Sequence, residues 1–485
     1  MRVLHLDIDT LRADHLGCYG YCRPTSPNID RLAADSVRFD QLYVSDSPCL
    51  PSRTALFSGQ FGVHSGVVNH GGRRADPFPA ERGRRRMSRL ARTSWPSLLR
   101  RAGLWCATVS TFGERHSAFH WYSGFNEVYN LGTGGLERAN KVAAAATDWL
   151  RRRGREDDWY LHVHFWDPHT PYRTPPSYGD PLGDDGRPVW IDETVRARHW
   201  SLPGPHTAQD VLGYGPDERF EHFTRQPQQI SSAAEVGRMF DGYDTGIRYA
   251  DDYIGRILDL LDELGIGDDT AVLLSSDHGE NLGELGIYCD HQTADVCTHR
   301  VPLLLRWPGV AAGVVPGFHY QLDLVATIAE LLDQPVPDIW DGISVAPALK
   351  AGVEPQGRDH LVLSCAAWSV QRAVRFDRWL YVRTYHDAYH GFPDAQLFDL
   401  EADPYEQHDV ASAHADISGR AAALLVDWET AAMRRSRNGI DPLWTVIHEG
   451  GGFYARDRLQ EYQARLIETG RGGWAEMLAA KHRRR

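Results

Sequence analysis

Residues 49–59 of this 485-residue chain read CLPSRTALFSG, and Cys49 within this stretch decides how the rest of the sequence is interpreted. The other candidate active-site residues are aspartates and histidines, which suit a hard divalent ion that prefers oxygen ligands. A thiolate is a poor ligand for such an ion and a poor nucleophile for a hard sulfur(VI) or phosphorus(V) centre. Cys49 therefore makes chemical sense chiefly if it is converted to an oxygen-bearing group.

The composition of the chain argues against several classes of protein. Charged residues make up 24% and hydrophobic residues 42% of the chain, which is typical of a soluble globular protein. No run approaches the roughly 18 apolar residues that a membrane helix needs. The formal net charge of -13 argues against a nucleic-acid partner, and the arginine-rich run at residues 82–92 is interpreted as a solvated surface segment. We therefore expect neither a membrane nor a nucleic acid as a partner.

The cysteines and the start of the chain bear on its location. The seven cysteines are odd in number and scattered, which fits reduced thiols better than a disulfide framework. The sequence runs from Met1 directly into the strand-like residues 3–6, without a signal-peptide pattern. Both features favour a cytoplasmic protein.

Short apolar runs alternate with amphipathic stretches along the first 355 residues. Runs at 3–8, 105–110, 159–165, 270–275 and 302–306 predict β-strands. Apolar spacing of three to four residues at 28–36, 95–102, 138–152, 234–264 and 322–332 predicts α-helices. This alternation predicts an α/β domain over residues 1–355, with a large, mostly parallel sheet flanked by helices. Residues 174–228 are rich in Pro, Gly and Asp, and we expect a long insertion that shapes a pocket.

A change in composition near residues 352–358 marks the predicted start of a smaller domain, residues 356–485. Strand patterns at 360–364, 370–376, 379–385 and 396–400 predict a small antiparallel sheet, with a hairpin turn near Asp377. Helical patterns at 417–434 and 457–481 complete this domain. Residues 428–458, which include Trp444, His448 and Phe453, are a second candidate source of substrate specificity.

Acidic residues stand at the ends of two predicted strands. The first strand leads into Asp7 and Asp9, and a later one leads into Asp277 and His278. Because the carboxyl ends of strands in an α/β sheet face the crevice where ligands bind, these side chains could together hold a divalent ion. An aspartate at a strand end is more often a helix cap, so each residue alone indicates little.

Four motifs in combination are far more specific. DTLRADHLGCYGY from Asp9, CLPSR from Cys49, DPHTPY from Asp167 and SDHGENLGELG from Ser276 stand in the order and approximate spacing of one family. Through them the chain resembles the type I sulfatases of the alkaline phosphatase superfamily, with features of the phosphonate monoester hydrolase branch. The resemblance extends from residue 3 to residue 309, and FDLEADPYEQHDVA from Phe398 is similar to the family's C-terminal domain. It implies the alkaline-phosphatase-like fold.

The resemblance also implies a nucleophile and a metal site. Cys49 is expected to be oxidised to formylglycine by a formylglycine-generating enzyme and to react as its hydrate, in which one hydroxyl attacks and the other expels the bound ester. Asp9, Asp277, His278 and the group derived from Cys49 are the implied ligands of a divalent metal, with Ca²⁺ favoured and Mg²⁺ or Mn²⁺ as alternatives. Arg53, on a predicted helix, is expected to reach back to the nucleophile and neutralise its charge.

Four further residues receive roles from the family motifs. His169 in DPHTPY is expected over the leaving-group oxygen, and His116 in FGERHSAF is expected to help expel the ester from the aldehyde hydrate. Asn69 in GVVNHGG resembles an asparagine that contacts the transferred group in phosphonate monoester hydrolases. His291 is the expected substitute for a substrate-binding lysine that this chain lacks.

The chain departs from the family pattern at several positions. Glu114 stands where FGKWHLG has a lysine, and Thr10 replaces the second Asp of a common Asp-Asp pair. With fewer fixed positive charges, the site stabilises the charge of a sulfate monoester less well. A diester or phosphonate substrate, which carries less charge to be stabilised, is therefore more credible. Asp7 occupies a strand position that is usually apolar in relatives, and it is either a structural hydrogen-bond acceptor or an extra charge near the metal. His64 and His70 are interpreted as ordinary loop residues.

Three hypotheses of function follow. The first is a metal-dependent sulfatase, a sulfuric ester hydrolase that acts on a sulfate monoester of a small soluble organic substrate. The alternative keeps the fold and the nucleophile but hydrolyses a phosphonate monoester or a phosphodiester. The third, a non-catalytic binding module with an unmodified Cys49, is disfavoured because Asp9, Arg53, Asp277 and His278 are all present.

Overall fold

The computed structural model describes residues 1–79, 92–183 and 186–482. Of the arginine-rich run at 82–92, all but Arg92 lies outside the described residues. The α-helices within these ranges are Pro27–Ala34, Cys49–Ser58, Gly62–Ser65, Trp95–Arg101, Phe112–Arg115, Ala139–Arg153, Glu193–Trp200, Ala233–Glu263, Val296–His299, Leu322–Leu331, Ala346–Ala351, Ala415–Arg435, Pro442–His448, Leu459–Glu468 and Gly472–Lys481.

A large sheet of eight strands forms the centre of the fold. The strands within the described ranges are β1 (Arg2–Ile8), β2 (Val37–Tyr43), β3 (Asp46–Ser47), β4 (Trp105–Val109), β5 (Glu127–Tyr129), β6 (Trp159–Phe165), β7 (Thr270–Ser275), β8 (Asn281–Leu282), β9 (Tyr288–Asp290), β10 (Leu303–Arg306), β11 (Gly313–Tyr320), β12 (His360–Cys365), β13 (Val370–Phe376), β14 (Trp379–His386) and β15 (Ala395–Asp399). The order in the large sheet is β11-β2-β10-β7-β1-β6-β4-β5, and its pairings are parallel except where β10 joins β2 and β7. The predicted α/β class with a large, mostly parallel sheet is confirmed.

The predicted strands are those at the centre of the sheet, and the missed ones lie towards its edges. β1, β6 and β7 are neighbours in parallel register and are largely buried. Apolar residues predominate in them because helices cover both faces. β5 and β11 are the two edge strands. β5 has only three residues, and β11 contains Pro316 and Gly317, which weaken a strand pattern.

The helix predictions were mostly confirmed within one or two residues, but the C-terminal stretch differs. The pattern at 457–481 forms two helices, Leu459–Glu468 and Gly472–Lys481, because the chain turns at Gly470 with a φ of +76°. Six short helices in the described part of the chain were not predicted, because they span too few turns for a clear periodicity. They are Gly62–Ser65, Phe112–Arg115, Glu193–Trp200, Val296–His299, Ala346–Ala351 and Pro442–His448.

A second sheet has the order β15-β14-β13-β12-β3. Its pairings are antiparallel, as predicted, except that β3 lies parallel to β12. Asp377, with a φ of +44°, lies in the turn between β13 and β14. Because β3 ends at Ser47, just before Cys49, this sheet is not built from residues 356–485 alone, and its edge lies next to Cys49.

The side chains of β1 alternate between the two faces of the large sheet. Leu4, Leu6 and Ile8 pack in the cluster that includes helices Ala139–Arg153 and Ala233–Glu263. Val3 packs in the opposite cluster, with the helix that begins at Cys49. No helix within the described ranges is both long enough and apolar enough to cross a membrane.

We expect Leu4→Ala to lower the free energy of unfolding by about 2–5 kcal/mol, because it leaves a cavity in the central strand. Leu4 is fully buried, whereas Ile467 is 66% exposed. Ile467→Ala is the control, with an expected change below about 0.5 kcal/mol. Urea denaturation followed by tryptophan fluorescence measures both. Equal effects of the two substitutions would contradict the packing described here.

Candidate active site

The carboxyl ends of β1 and β7 bring Asp9, Asp277 and His278 together beside Cys49. Their candidate ligand atoms, together with the Cys49 sulfur, all lie within 4.8 Å of one another. β1 and β7 are parallel neighbours, so the residues that follow them emerge at the same edge of the sheet. Thr10 turns the chain sharply, with a φ of +56°, and its backbone N–H donates to Asp277 Oδ1 at 3.3 Å.

Cys49 is buried at the start of its helix and faces His278. The distance from Cys49 Sγ to His278 Nε2 is 3.0 Å. Nδ1 of His278 donates to the carbonyl of Gly279 at 2.8 Å, so Nε2 is the nitrogen that bears the lone pair in the neutral ring. Burial, with the carboxylates of Asp9 and Asp277, raises the pKa of the Cys49 thiol well above its ordinary value. An unmodified Cys49 is therefore a protonated, weak nucleophile.

Arg53 lies one helical turn after Cys49 and buries its guanidinium among three carboxylates. Nη1 contacts Asp7, Nη2 lies 3.1 Å from Asp9 Oδ2, and Nε lies 3.0 Å from Asp277 Oδ2. Despite burial, these carboxylates raise the pKa of Arg53. From the sequence, Arg53 was expected to neutralise the charge of the group at position 49. In the structure its guanidinium also compensates the charges of Asp9 and Asp277, two of the predicted metal ligands.

Asp7 anchors Arg53 from within the sheet. It accepts hydrogen bonds from Arg53 Nη1 and from His162 Nε2, the latter at 3.0 Å. The hydroxyl of Thr108 donates to Nδ1 of His162 at 2.9 Å, and Arg53 Nη2 donates to Nε2 of His164 at 2.7 Å. Despite burial, the guanidinium holds the pKa of Asp7 well below its ordinary value. Asp7 is therefore a charged support for Arg53.

The residues of this cluster fit a divalent metal. Asp9 Oδ1 is buried and has no hydrogen-bond partner among the described residues. An orphan carboxylate oxygen is costly in a protein interior, and a cation would satisfy it. Asp277 and the unprotonated Nε2 of His278 add an oxygen and a nitrogen ligand, and position 49 adds an oxygen if Cys49 is converted.

Beside Cys49 lies a cavity of about 470 Å³. Three of the predicted residues, His116, His169 and His291, line it. Burial lowers the pKa of His116 and of His291 to about 3, and that of His169 well below its ordinary value. These imidazoles are neutral near pH 7 and offer hydrogen bonds rather than fixed charges.

Asn69, which was predicted to contact the substrate, is fully buried and does not line this cavity. Its Oδ1 accepts from the backbone N–H groups of His70, at 2.8 Å, and Phe453, at 3.3 Å. His70, interpreted from sequence as an ordinary loop residue, does line the cavity. Its Nε2 accepts from the backbone N–H of Leu50 at 3.2 Å, so Nδ1 carries the proton and donates to Tyr454 Oη at 3.0 Å.

Arg115 is a cavity residue that sequence analysis missed. Its guanidinium lies 5.1 Å from the centre of the Trp166 ring and donates to the carbonyl of Gly134 at 3.0 Å. Among the described residues, no carboxylate lies within 4.0 Å of it. Glu114, compared with the family's lysine, instead contacts the hydroxyl of Tyr122. Arg115, the residue after Glu114, thus provides a positive charge to the cavity. A comparison of each motif position with its counterpart in the family finds only the loss of the lysine.

Two segments that are remote in sequence complete the cavity wall. The insertion at 174–228 and the C-terminal part of the chain contribute His206, Val211, Leu212, Phe220, Trp368 and Tyr454. Both segments that were expected to shape the pocket therefore reach it. Within residues 428–458, the lining residue is Tyr454 rather than Trp444, His448 or Phe453.

The Sulfatase family profile matches residues 2–334. This chain belongs to the sulfatase family. As predicted, it is a sulfuric ester hydrolase. The choline-sulfatase of Rhizobium meliloti (strain 1021) is 28% identical to it over 438 residues, which cover 80% of this chain and 77% of that protein. Arylsulfatase A of Homo sapiens is 26% identical over 376 residues, 70% of this chain and 66% of that protein.

Solved structures confirm the alkaline-phosphatase-like fold of this sulfatase. The structure of BT4656 in complex with its substrate D-glucosamine-2-N,6-O-disulfate has a TM-score of 0.71 at 17% identity, covering 91% of this chain and 99% of that chain. The phosphonate monoester hydrolase of Agrobacterium radiobacter has a TM-score of 0.67 at 21% identity, covering 89% of this chain and 96% of that chain. Both branches named in the resemblance are thus structurally similar to this protein.

We expect Asp7→Asn to lower kcat of the sulfatase by about 10- to 100-fold with little change in KM, because Asp7 supports Arg53 without lining the cavity. Steady-state kinetics with an aryl sulfate measures the change in kcat and in KM, on preparations matched by mass spectrometry of the peptide that contains residue 49. Asp259→Asn is the matched control, since Asp259 forms an exposed ion pair with Arg31 at 2.7 Å. A folded Asp7→Asn protein with wild-type kcat would contradict this role.

Proposed function

We propose that this sulfatase hydrolyses the sulfate monoester of a small soluble organic molecule. Its nucleophile would be a formylglycine at position 49, beside a divalent metal held by Asp9, Asp277 and His278. The observation that carries the proposal is the convergence of these four residues, with ligand atoms within 4.8 Å of one another, at a cavity of about 470 Å³.

Conversion of Cys49 by a formylglycine-generating enzyme is part of the proposal. The unmodified thiol is buried and its pKa is raised, so it would not act as a thiolate. The intact CLPSR motif supports this maturation step. None of the seven cysteines forms a disulfide bond, which supports a cytoplasmic location.

We propose Ca²⁺ as the metal, because carboxylate oxygens dominate the available protein ligands. Mg²⁺ and Mn²⁺ are the alternatives, since Thr10 replaces one possible carboxylate ligand. When bound, the metal supplies a Lewis acid that stabilises negative charge. Elemental analysis of the purified protein, with Asp277→Asn as the comparison, identifies the ion.

The neutral histidines of the cavity are the proposed proton carriers and hydrogen-bonding groups. His169 Nδ1 donates to the carbonyl of Thr170, and its Nε2 lies 3.9 Å from Asp9 Oδ1. Nε2 is therefore the atom that would first take up the proton lost by the attacking hydroxyl and then pass it to the leaving oxygen. His116 Nε2 is buried without a hydrogen-bond partner among the described residues and is available for the second proton transfer. His291 would contact a sulfuryl oxygen.

The fixed positive charge for the transferred group is proposed to come from Arg115. A guanidinium binds sulfuryl or phosphoryl oxygens through two N–H groups. Arg115 lines the same cavity as Cys49 and has no carboxylate partner among the described residues, which leaves its charge available to an anionic substrate.

A phosphonate monoester or phosphodiester remains the second candidate substrate class. It is favoured by the replacement of the family's lysine by Glu114 and by the low pKa of His291, because both reduce the charge that can hold a sulfate. The structural similarity to phosphonate monoester hydrolases is compatible with it but shows the fold alone.

We expect the mature enzyme to hydrolyse 4-nitrophenyl sulfate with a higher kcat/KM than 4-nitrophenyl phenylphosphonate, and we expect Cys49→Ala to abolish both activities. Release of 4-nitrophenol from the same preparation measures both reactions, after mass spectrometry of the peptide that contains residue 49. A reversed ratio would establish the second substrate class. Full activity of Cys49→Ala would refute the proposed nucleophile.

We expect Arg115→Ala to lower kcat/KM for the aryl sulfate by about 100-fold or more, because a charge-assisted contact to the substrate is lost. Arg115→Lys restores the charge without the planar guanidinium and should recover part of this loss. Arg152→Ala is the control, because Arg152 lies in an exposed ion pair with Asp148. Wild-type kinetics of Arg115→Ala would rule out Arg115 as the anion-binding group.

A further inference from the structure

A second cavity, of about 390 Å³, is lined by residues of both sheets. The large sheet contributes Gln41 and Tyr43 of β2, and the second sheet contributes Arg375 of β13. The described lining of this cavity and that of the cavity beside Cys49 have no residue in common. Cavities that bind small molecules have volumes of about 300–1,000 Å³ and often lie where two structural units meet.

Among the described residues, four arginines line this second cavity, and two of them are compensated by carboxylates of the lining. Arg12 pairs with Asp14 at 2.7 Å. Arg378 pairs with Glu401 at 3.2 Å. The third acidic residue of the described lining, Asp377, pairs at 2.9 Å with an arginine outside the cavity. All three carboxylates of this lining are therefore engaged elsewhere and leave two arginines uncompensated.

Arg300 and Arg375 are these two arginines. Within the described ranges, no carboxylate lies within 4.0 Å of either guanidinium. Arg300 donates to the carbonyl of Asp40 from Nε, at 3.0 Å, and from Nη2, at 2.8 Å. No described residue accepts a hydrogen bond from its Nη1. Arg300 therefore has donor capacity left for a ligand in the cavity.

Arg375 is more deeply buried and has an unused nitrogen as well. Its side chain is 8% exposed. Nε donates to Tyr43 Oη at 3.3 Å, and Nη1 contacts backbone carbonyls at the turn between β13 and β14. Nη2 has no acceptor among the described residues. A buried guanidinium without a counter-charge is costly, and an anion in the cavity would remove that cost.

We propose that this cavity is a binding site for a small tetrahedral oxyanion, which is either inorganic phosphate or sulfate or the phosphate group of a small ester. Arg300 and Arg375 hold it, because a guanidinium binds two oxygens of such a group through paired N–H donors. The site goes beyond the proposed function and does not depend on the chemistry at position 49.

Tyr43 fixes both guanidinium groups before any ligand binds. Its backbone pairs with that of Arg300, and its hydroxyl accepts from Arg375. The Arg375 guanidinium also lies 4.7 Å from the centre of the Phe318 ring. Both donors are therefore held by the protein, which reduces the entropic cost of binding.

Tyr405 offers a further hydrogen bond at the cavity wall. Its ring stacks on that of Trp190, with the ring centres 4.4 Å apart and an angle of 9° between the planes. Its hydroxyl has no partner among the described residues. This hydroxyl is therefore available to donate to an oxyanion.

The wall of the second cavity also contacts the turn at residues 277–280. Arg12 donates to the carbonyl of Glu280 at 3.0 Å. A Cβ at Gly279 would lie 1.9 Å from the carbonyl oxygen of Cys297, so glycine is required for this close approach. Arg12 and Cys297 both line the cavity. Because the same turn carries two of the predicted metal ligands, direct binding distinguishes this site from the active site better than activity does.

Titration with inorganic phosphate, followed by the ³¹P NMR line width, tests the proposal. The protein carries Cys49→Ala, to prevent turnover, and Arg115→Ala, to remove the proposed anion-binding group of the other cavity. We expect the further substitution Arg375→Met to raise Kd by about tenfold or more, because charge-assisted hydrogen bonds are lost. Arg375→Lys should recover part of this loss. Arg31→Met, at an exposed ion pair with Asp259, is the matched control and should leave Kd unchanged.

Absence of phosphate-dependent broadening in the starting protein, or an unchanged Kd in Arg375→Met, would overturn the proposal. Arg300→Gln gives the same comparison if Arg375→Met does not fold. A second titration uses glycerol 3-phosphate. A lower Kd for this ester than for inorganic phosphate would identify an ester as the preferred ligand, and the reverse order would identify the free ion. Both orders support the site, provided that Arg375→Met weakens the binding.

Discussion

The buried guanidinium of Arg53 is the interaction on which the rest of the site depends. Asp7, Asp9 and Asp277 converge from two neighbouring strands, and without a central cation their charges would repel one another in a desolvated interior. Arg53 comes from the same helix as Cys49, so one side chain connects the helix of the proposed nucleophile, the candidate metal ligands and the centre of the sheet. This explains why an aspartate at position 7, in a buried central strand, is tolerated.

The start of that helix is held by the second sheet. β3 pairs with β12 and ends just before Cys49, so the small antiparallel sheet positions the nucleophile as well as packing beside the large one. The same C-terminal region supplies Trp368 and Tyr454 to the cavity. Residues at the edge of the large sheet and residues from the C-terminal part of the chain therefore meet at one cavity.

Most of the fold could be predicted from the sequence. The elements that were predicted and those that were not differ for a physical reason. The central strands are buried on both faces, which requires continuous apolar runs that are easy to recognise. Edge strands such as β5 and β11 are short or interrupted by Pro316 and Gly317, so their pairing depends on neighbours rather than on local pattern. The break at Gly470 likewise reflects a turn that helical periodicity does not report.

The sequence by itself determined the class of chemistry, because Cys49, Asp9, Asp277 and His278 belong to local motifs whose spacing is diagnostic. Only the tertiary structure decided what surrounds them. Arg115 reaches the cavity from a position that motif comparison skips, and Tyr454 reaches it from far along the chain. Local motifs are constrained by the geometry of single turns and strand ends, which the sequence encodes directly. The cavity wall arises from contacts between distant segments, which no local pattern records.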